Sequence, residues 1–102
     1  MQIIALRPLK AFWERYPQAE TALRTWYAIV SKASWSNPAE IKRQFGATVD
    51  FVADNRVIFD IGGNKFRLIV FVAFKSHRVL IKFVGTHEEY DKIDPATCEV
   101  KK

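Results

Sequence analysis

Residues 56–84 read RVIFDIGGNKFRLIVFVAFKSHRVLIKFV, and their apolar period is two. Val57, Phe59 and Ile61 alternate with Arg56, Ile58 and Asp60, as in a strand that turns one face to a core. Gly62-Gly63, with Asn64 beside them, supply the positive-φ residues of a tight hairpin. Lys65 to Phe74 is then a long strand, apolar on both faces from Leu68 onward, which sets it centrally in a sheet. Lys75-Ser76-His77-Arg78 makes the next turn, and Val79 to Val84 returns antiparallel. Upstream, Thr48 to Val52 forms a further strand, with Asp54-Asn55 as the turn between.

Before Gly46 the period is helical instead. From Pro17 to Ala33, the residues Ala19, Ala22, Leu23, Trp26, Ile29, Val30 and Ala33 recur at spacings of three and four, predicting an amphipathic helix with a wide apolar face. A shorter helix runs from Pro8, suited to a first helical position, to about Tyr16. Asn37-Pro38-Ala39-Glu40 reads as a third start, with Asn37 as N-cap and Glu40 reaching back to the cap. Residues 1–6, MQIIAL, make a short strand that joins the sheet. Thr86 to Ile93 is polar and reads as a short C-terminal helix or turn, and Lys101-Lys102 as a frayed end. The order β-α-α-α-β-β-β-β is α+β: a twisted, mostly antiparallel sheet of about five strands with the N-terminal helices on one face.

The 102 residues make one domain, and 49% apolar composition with 14% aromatics is ample for one core. A lone cysteine, Cys98, cannot form an internal disulfide, and two histidines, His77 and His87, are too few for a structural zinc site. Arg7 and Lys10 interrupt the N-terminus before a signal-peptide stretch develops, and the longest apolar run, Leu68 to Phe74, is far short of a membrane span. The expectation is a small basic cytoplasmic domain. Its net charge of +5 is unevenly spread. Residues 56–85 carry six cations (Arg56, Lys65, Arg67, Lys75, Arg78 and Lys82) against Asp60 alone, while residues 86–102 carry five acidic and three basic side chains. A local positive field attracts a polyanion, although Lys and Arg at strand edges also serve only to block aggregation.

Lys65 and Arg67 share one strand face at the charged end of an apolar strand. They are either phosphate contacts, with Arg67 bidentate, or two solvated cations after a hairpin. Lys82, between Ile81 and Phe83, must snorkel to water or meet an anion. His87 and Tyr90 lie on one face if Gly85 to Asp91 is helical. His87 is then a proton carrier or a helix-start histidine bonded locally, and Tyr90 is a reactive or a packing residue.

The run Trp13, Pro17, Leu23 and Trp26, followed by Phe51-Val52, Asn55-Arg56-Val57, Phe59-Asp60-Ile61-Gly62-Gly63-Asn64-Lys65-Phe66-Arg67-Leu68 and Phe83-Val84-Gly85-Thr86-His87-Glu88-Glu89-Tyr90-Asp91, closely resembles the HigB family over nearly the whole chain. These are RelE-like toxins of bacterial type II toxin–antitoxin systems. The resemblance implies a RelE-like fold and a ribosome-dependent endoribonuclease, an mRNA interferase. Such an enzyme cleaves translated mRNA by metal-independent attack of the 2′-OH on the adjacent phosphate and needs no cofactor. It implies mRNA on the ribosome, ribosomal RNA and a HigA-type helix-turn-helix antitoxin as partners, in the bacterial cytoplasm. By position, Lys65 and Arg67 would hold the scissile phosphate, and His87 would be the acid or base. Tyr90 would orient or stack on the substrate, or assist proton transfer. Arg56, Lys75, Arg78 and Lys82 are expected to contact RNA. Many RelE-like toxins carry an arginine after this histidine and the tyrosine further along, whereas Glu88 and Glu89 follow it here.

That chemistry matches the residue types, since in-line RNA cleavage needs a proton acceptor, a proton donor and cations at the phosphate. A different class, a non-catalytic RNA-binding module using the basic sheet, would need the cations but not His87. A third reading is an interaction protein whose basic face binds an acidic partner.

Overall fold

The helical half folds as its spacing predicts, with shifted ends. The computed structural model, which describes residues 1–52 and 55–99, begins with strand β1 (Gln2–Ile4) and helix α1 (Leu6–Arg15). Pro8 sits third in α1, still within the first turn, whose N–H groups have no helical partner anyway. Pro17 opens a 3₁₀ turn (Pro17–Ala19) rather than the α-helix itself, and α2 (Glu20–Lys32) follows, burying Leu23, Trp26 and Val30. Asn37 caps α3 (Pro38–Phe45), its Oδ1 accepting from the Glu40 N–H at 3.2 Å. The Glu40 carboxylate reaches one residue beyond the cap, to the N–H of Ser36. Trp35 in the α2–α3 loop is buried, and its Nε1 donates to Gln44 Oε1 at 2.9 Å.

After a 3₁₀ turn at Gly46–Thr48, strands β2 (Val49–Val52), β3 (Arg56–Ile61), β4 (Phe66–Ala73) and β5 (Arg78–Thr86) pair antiparallel in succession. β1 adds to β5 in parallel, so the sheet is mixed, with order β1-β5-β4-β3-β2. It is an open α+β sheet of the expected kind. Gly62, Gly63 and Asn64 have φ of +63°, +64° and +82°, as the β3–β4 hairpin requires. Asp54 and Lys101-Lys102, expected in a turn and a frayed end, lie outside the described residues. Helix α4 (His87–Tyr90) follows β5 directly, fixed by a capping box between Thr86 and Glu89.

Alternation decides which residues meet the helices. Val57, Phe59 and Ile61 of β3 join Phe66, Leu68, Val70 and Val72 of β4 in the core. Phe59 packs edge-on against Trp26 and Phe45, at 5.5 and 4.8 Å between ring centres, and Phe12 packs against Phe66 at 5.5 Å. Burying one such ring contributes roughly 1.5–3 kcal/mol, so this aromatic layer fixes the helices to the sheet.

The opposite face carries Arg56, Ile58 and Asp60 of β3 beside Arg67, Ile69 and Phe71 of β4. Ile58 and Ile69, direct cross-strand partners, are buried there too. A β-bulge interrupts β5: Ile69 pairs with Phe83 and Val70 with Ile81, so Lys82 is the extra residue. The bulge lets Ile81 and Val84, three residues apart, both pack toward the helix side.

Candidate active site

β4 and β5 run antiparallel, so the start of one lies beside the end of the other. Arg67 pairs with Gly85, and Phe66 with Thr86. The chain then enters α4, where the His87 N–H donates to the Lys65 carbonyl at 3.2 Å. Two segments 20 residues apart in sequence are thereby closed on each other, and Lys65, Arg67, His87 and Tyr90 gather at one end of the sheet. Lys65 itself lies in the hairpin turn, one residue before β4, and is exposed.

Arg67 is the most tightly held of the four. Its Nε lies 3.2 Å from Asp60 Oδ1 on the neighbouring strand, and its Nη1 donates to the Asn64 carbonyl at 3.2 Å. The guanidinium carbon sits 5.5 Å from the centre of the Tyr90 ring, a cation–π contact. Nη2 is left without a partner among the described residues. Tyr90 holds its phenolic proton more firmly than a free tyrosine. Burial is the main cause, opposed by Arg67 and reinforced by Asp50, Asp60 and Asp91. His87 keeps half of its side chain in solvent, and its Nδ1 lies 3.2 Å from Asp91 Oδ2 one helical turn on. This carboxylate engages one ring nitrogen, and Nε2 has no partner among the described residues.

Gly85, opposite Arg67, lies under the Phe83 ring, which a side chain there would have to displace. A Cβ there would lie 2.5 Å from Phe83 Cζ and 3.1 Å from the Glu89 Oε1 that closes the capping box. The same glycine lets the Phe83 ring fold over the strand beside Arg67.

The other cations do not join this cluster. Arg56, expected at an RNA surface, is buried: its Nη1 donates to the carbonyls of Pro95 and Cys98 at 3.2 and 2.8 Å, and its Nη2 to Glu99 at 3.3 Å. The chain beyond α4 folds back across the open face and takes up these donors, so Arg56 anchors that segment here. Lys82 meets an anion rather than snorkelling, with its Nζ 3.0 Å from Glu99 Oε2. Hydrogen bonding from Lys82 is the chief reason that the Glu99 carboxyl lies below its usual range, with the charges of Lys82 and Arg56 adding to it. Lys75 and Arg78 are exposed, but they flank the opposite hairpin. The length of β4 sets them about 20–25 Å from Lys65. The acidic C-terminal stretch is thus a clamp on two of the six cations of residues 56–85.

Asp60 and Asp91 both contact the cluster, yet neither was singled out as a site residue from the sequence. The signal for Asp91 was its spacing four residues after His87. Asp60 stood out only as the one acid in a basic stretch. No described helix is long and apolar enough to cross a membrane. Among the described residues no three His, Cys, Asp or Glu side chains converge as ligands for a metal ion.

Comparison with known proteins gives a consistent answer. Residues 19–93 match the family model for HigB toxin, described as the RelE-like toxic component of a toxin–antitoxin system. The chain is 31% identical over 94 residues to the mRNA interferase HigB of Escherichia coli O6:H1, covering 91% of each protein. It is 34% identical over 92 residues to the mRNA interferase toxin HigB of Escherichia coli strain K12, covering 89% of this chain and 88% of the relative. The same figures hold for the mRNA interferase HigB of Shigella flexneri. With its α+β sheet, its cluster at the β4–β5 end and these similarities together, the chain belongs to the HigB toxin family.

Proposed function

We propose that this chain is an mRNA interferase, an endoribonuclease that cuts messenger RNA during translation in the bacterial cytoplasm and is neutralised by a HigA-type helix-turn-helix antitoxin. The observation that supports this best is the grouping of two cations, an imidazole and a protonated phenol at one end of the sheet. Those are the groups that RNA transesterification needs. In the proposed step His87 Nε2 takes the proton of a ribose 2′-OH, and the resulting oxygen attacks the adjacent phosphorus. The bond to the 5′-oxygen breaks, and the leaving oxygen takes a proton from the Tyr90 hydroxyl, which solvent then restores. One product ends in a 2′,3′-cyclic phosphate and the other in a 5′-hydroxyl. Lys65 and the free Nη2 of Arg67 stabilise the charge on the pentacoordinate phosphorus, and no metal takes part. Tyr90 carries its proton at neutral pH and is the neighbouring group that can donate one, while the carboxylate behind Nδ1 favours His87 as acceptor.

Controlled induction in bacteria tests this, with transcript ends mapped for wild type, His87→Ala, Arg67→Ala and Lys65→Ala. Wild type is expected to arrest growth and cut translated messages, and His87→Ala to lower cleavage by about 10²-fold or more. Intact transcripts with wild type would overturn the reading. Cleavage by His87→Ala at the wild-type rate would overturn the acid–base assignment. On naked RNA the purified protein is expected to cut far more slowly than on ribosomes, because ordering of the message by the ribosome supplies the alignment.

A further inference from the structure

Within the cluster, one group has the wrong sign for its surroundings. Asp60 is a carboxylate on the face where an RNA phosphate would approach, and it is the only acid among residues 56–85. By simple electrostatics it should weaken the site. Its placement argues for another role. It is the direct cross-strand partner of Arg67, and its Oδ1 lies 3.2 Å from Nε, the nitrogen that points back along the side chain. The Arg67 side chain is only 12% exposed, pinned by Asp60 at Nε, by the Asn64 carbonyl at Nη1 and by the Tyr90 ring. With Nε paired to Asp60 and Nη1 donating to the Asn64 and Phe66 carbonyls, Nη2 is the guanidinium nitrogen without a partner among the described residues.

We propose that Asp60 is a positioning residue for Arg67, holding the guanidinium so that Nη2 meets the scissile phosphate. The proposal rests on the mRNA interferase reading. Asp60 thereby gives up some attraction for RNA in return for a fixed geometry, and an Arg67 free to rotate would meet the phosphate in many unproductive poses. Misplacement of a catalytic contact by about 1 Å is enough to lower a rate by up to about 10²-fold.

The experiment measures cleavage of a translated message on purified ribosomes by wild type, Asp60→Val, Asp60→Ala and Asp60→Asn, with thermal melting of each protein alongside. Asp60→Val removes the carboxylate and suits a strand. It is expected to lower kcat by about 10- to 100-fold with KM unchanged or lower, since a repulsive charge has been removed. Asp60→Asn keeps an oxygen at the Oδ1 position and should recover most of the rate. In an Arg67→Ala background, Asp60→Val should have no further effect. A Val or Ala variant that cuts as fast as wild type, or faster, overturns the proposal, as does a loss of rate that only follows loss of folded protein in both. Equal, additive losses with and without Arg67 also overturn it. A wild-type protein that leaves the message intact instead removes the interferase reading, and this inference with it.

Discussion

Arg56 and Arg67 face the same side of one sheet from adjacent strands, each beside a carboxylate, and their side chains are about equally covered, at 9% and 12% exposure. Burial does not separate them; occupancy does. Both terminal nitrogens of Arg56 are taken by a segment some 40 residues away, through Pro95, Cys98 and Glu99. Arg67 is held mostly by its own hairpin and by Asp60, and its Nη2 has no partner among the described residues. A cation saturated by distant backbone is a fastener, whereas on the proposed reading one steadied by its own hairpin is left to meet the RNA.

The sharpest way to break this contrast is to remove each arginine in turn. Arg67→Ala should lower mRNA cleavage by about 10²-fold or more, the range for loss of a transition-state donor, with little change in the urea midpoint. Arg56→Ala should do the reverse. Its loss releases the C-terminal segment and costs about 2 kcal/mol in urea unfolding, while activity per folded molecule is retained. Alkylation of Cys98 reads the same event. Burial pushes that thiol up and shields it, so reagent should react faster in Arg56→Ala. Similar losses of activity from both variants would abolish the distinction.

Which parts of this were legible in the sequence follows from the range of the forces involved. Period-two alternation in residues 56–61 and the Asn37 cap are local, and the structure has them where they were expected. Lys65, Arg67, His87 and Tyr90 could be named because each lies in a short motif, and the antiparallel register brings the two motifs together. The fate of Arg56 and Lys82 depends on Glu99, at separations of 43 and 17 residues, and no local pattern encodes that pairing. Nor does alternation foresee the bulge at Lys82, where an extra residue resets which side chains share a face. Summing charge over residues 56–85 merged three places that the fold keeps apart: the site, the clamp and the far hairpin.

A smaller effect sharpens the clamp side of the comparison. The Glu99 carboxyl is depressed below its ordinary 4.5 in the folded chain, so the unfolded state binds its proton more readily. The stabilisation from this group is complete above that value and disappears as pH falls through the depressed folded value. Protease nicking after α4 should rise over that acidic window in wild type, and Glu99→Gln should nick at a rate that no longer depends on this titration. An unchanged pH profile in Glu99→Gln would place the acid sensitivity elsewhere.

The smallest effect lies on the site side. Burial raises the Tyr90 phenol above 10.0, and Arg67 partly opposes it. Ultraviolet titration, with Tyr90→Phe as the blank, should show phenolate appearing later than in free tyrosine. Arg67→Ala should delay it further. Any stability tied to the neutral phenol persists below 10.0 and fades as pH climbs through the raised folded value. An onset at the free-tyrosine value would mean that the ring is not covered as described.

The pairing of β1 with β5 joins the first strand of the chain to the last. Residues 2–4 have no sheet partner until residues 78–80 have been made, and His87 and Tyr90 are added later still. Synthesis proceeds from the N-terminus, and contacts this distant in sequence form late in folding. The nascent chain therefore carries all three long helices well before it can assemble the β4–β5 end. On the proposed reading, the groups that would cut mRNA come together only once residues 78–90 have been made.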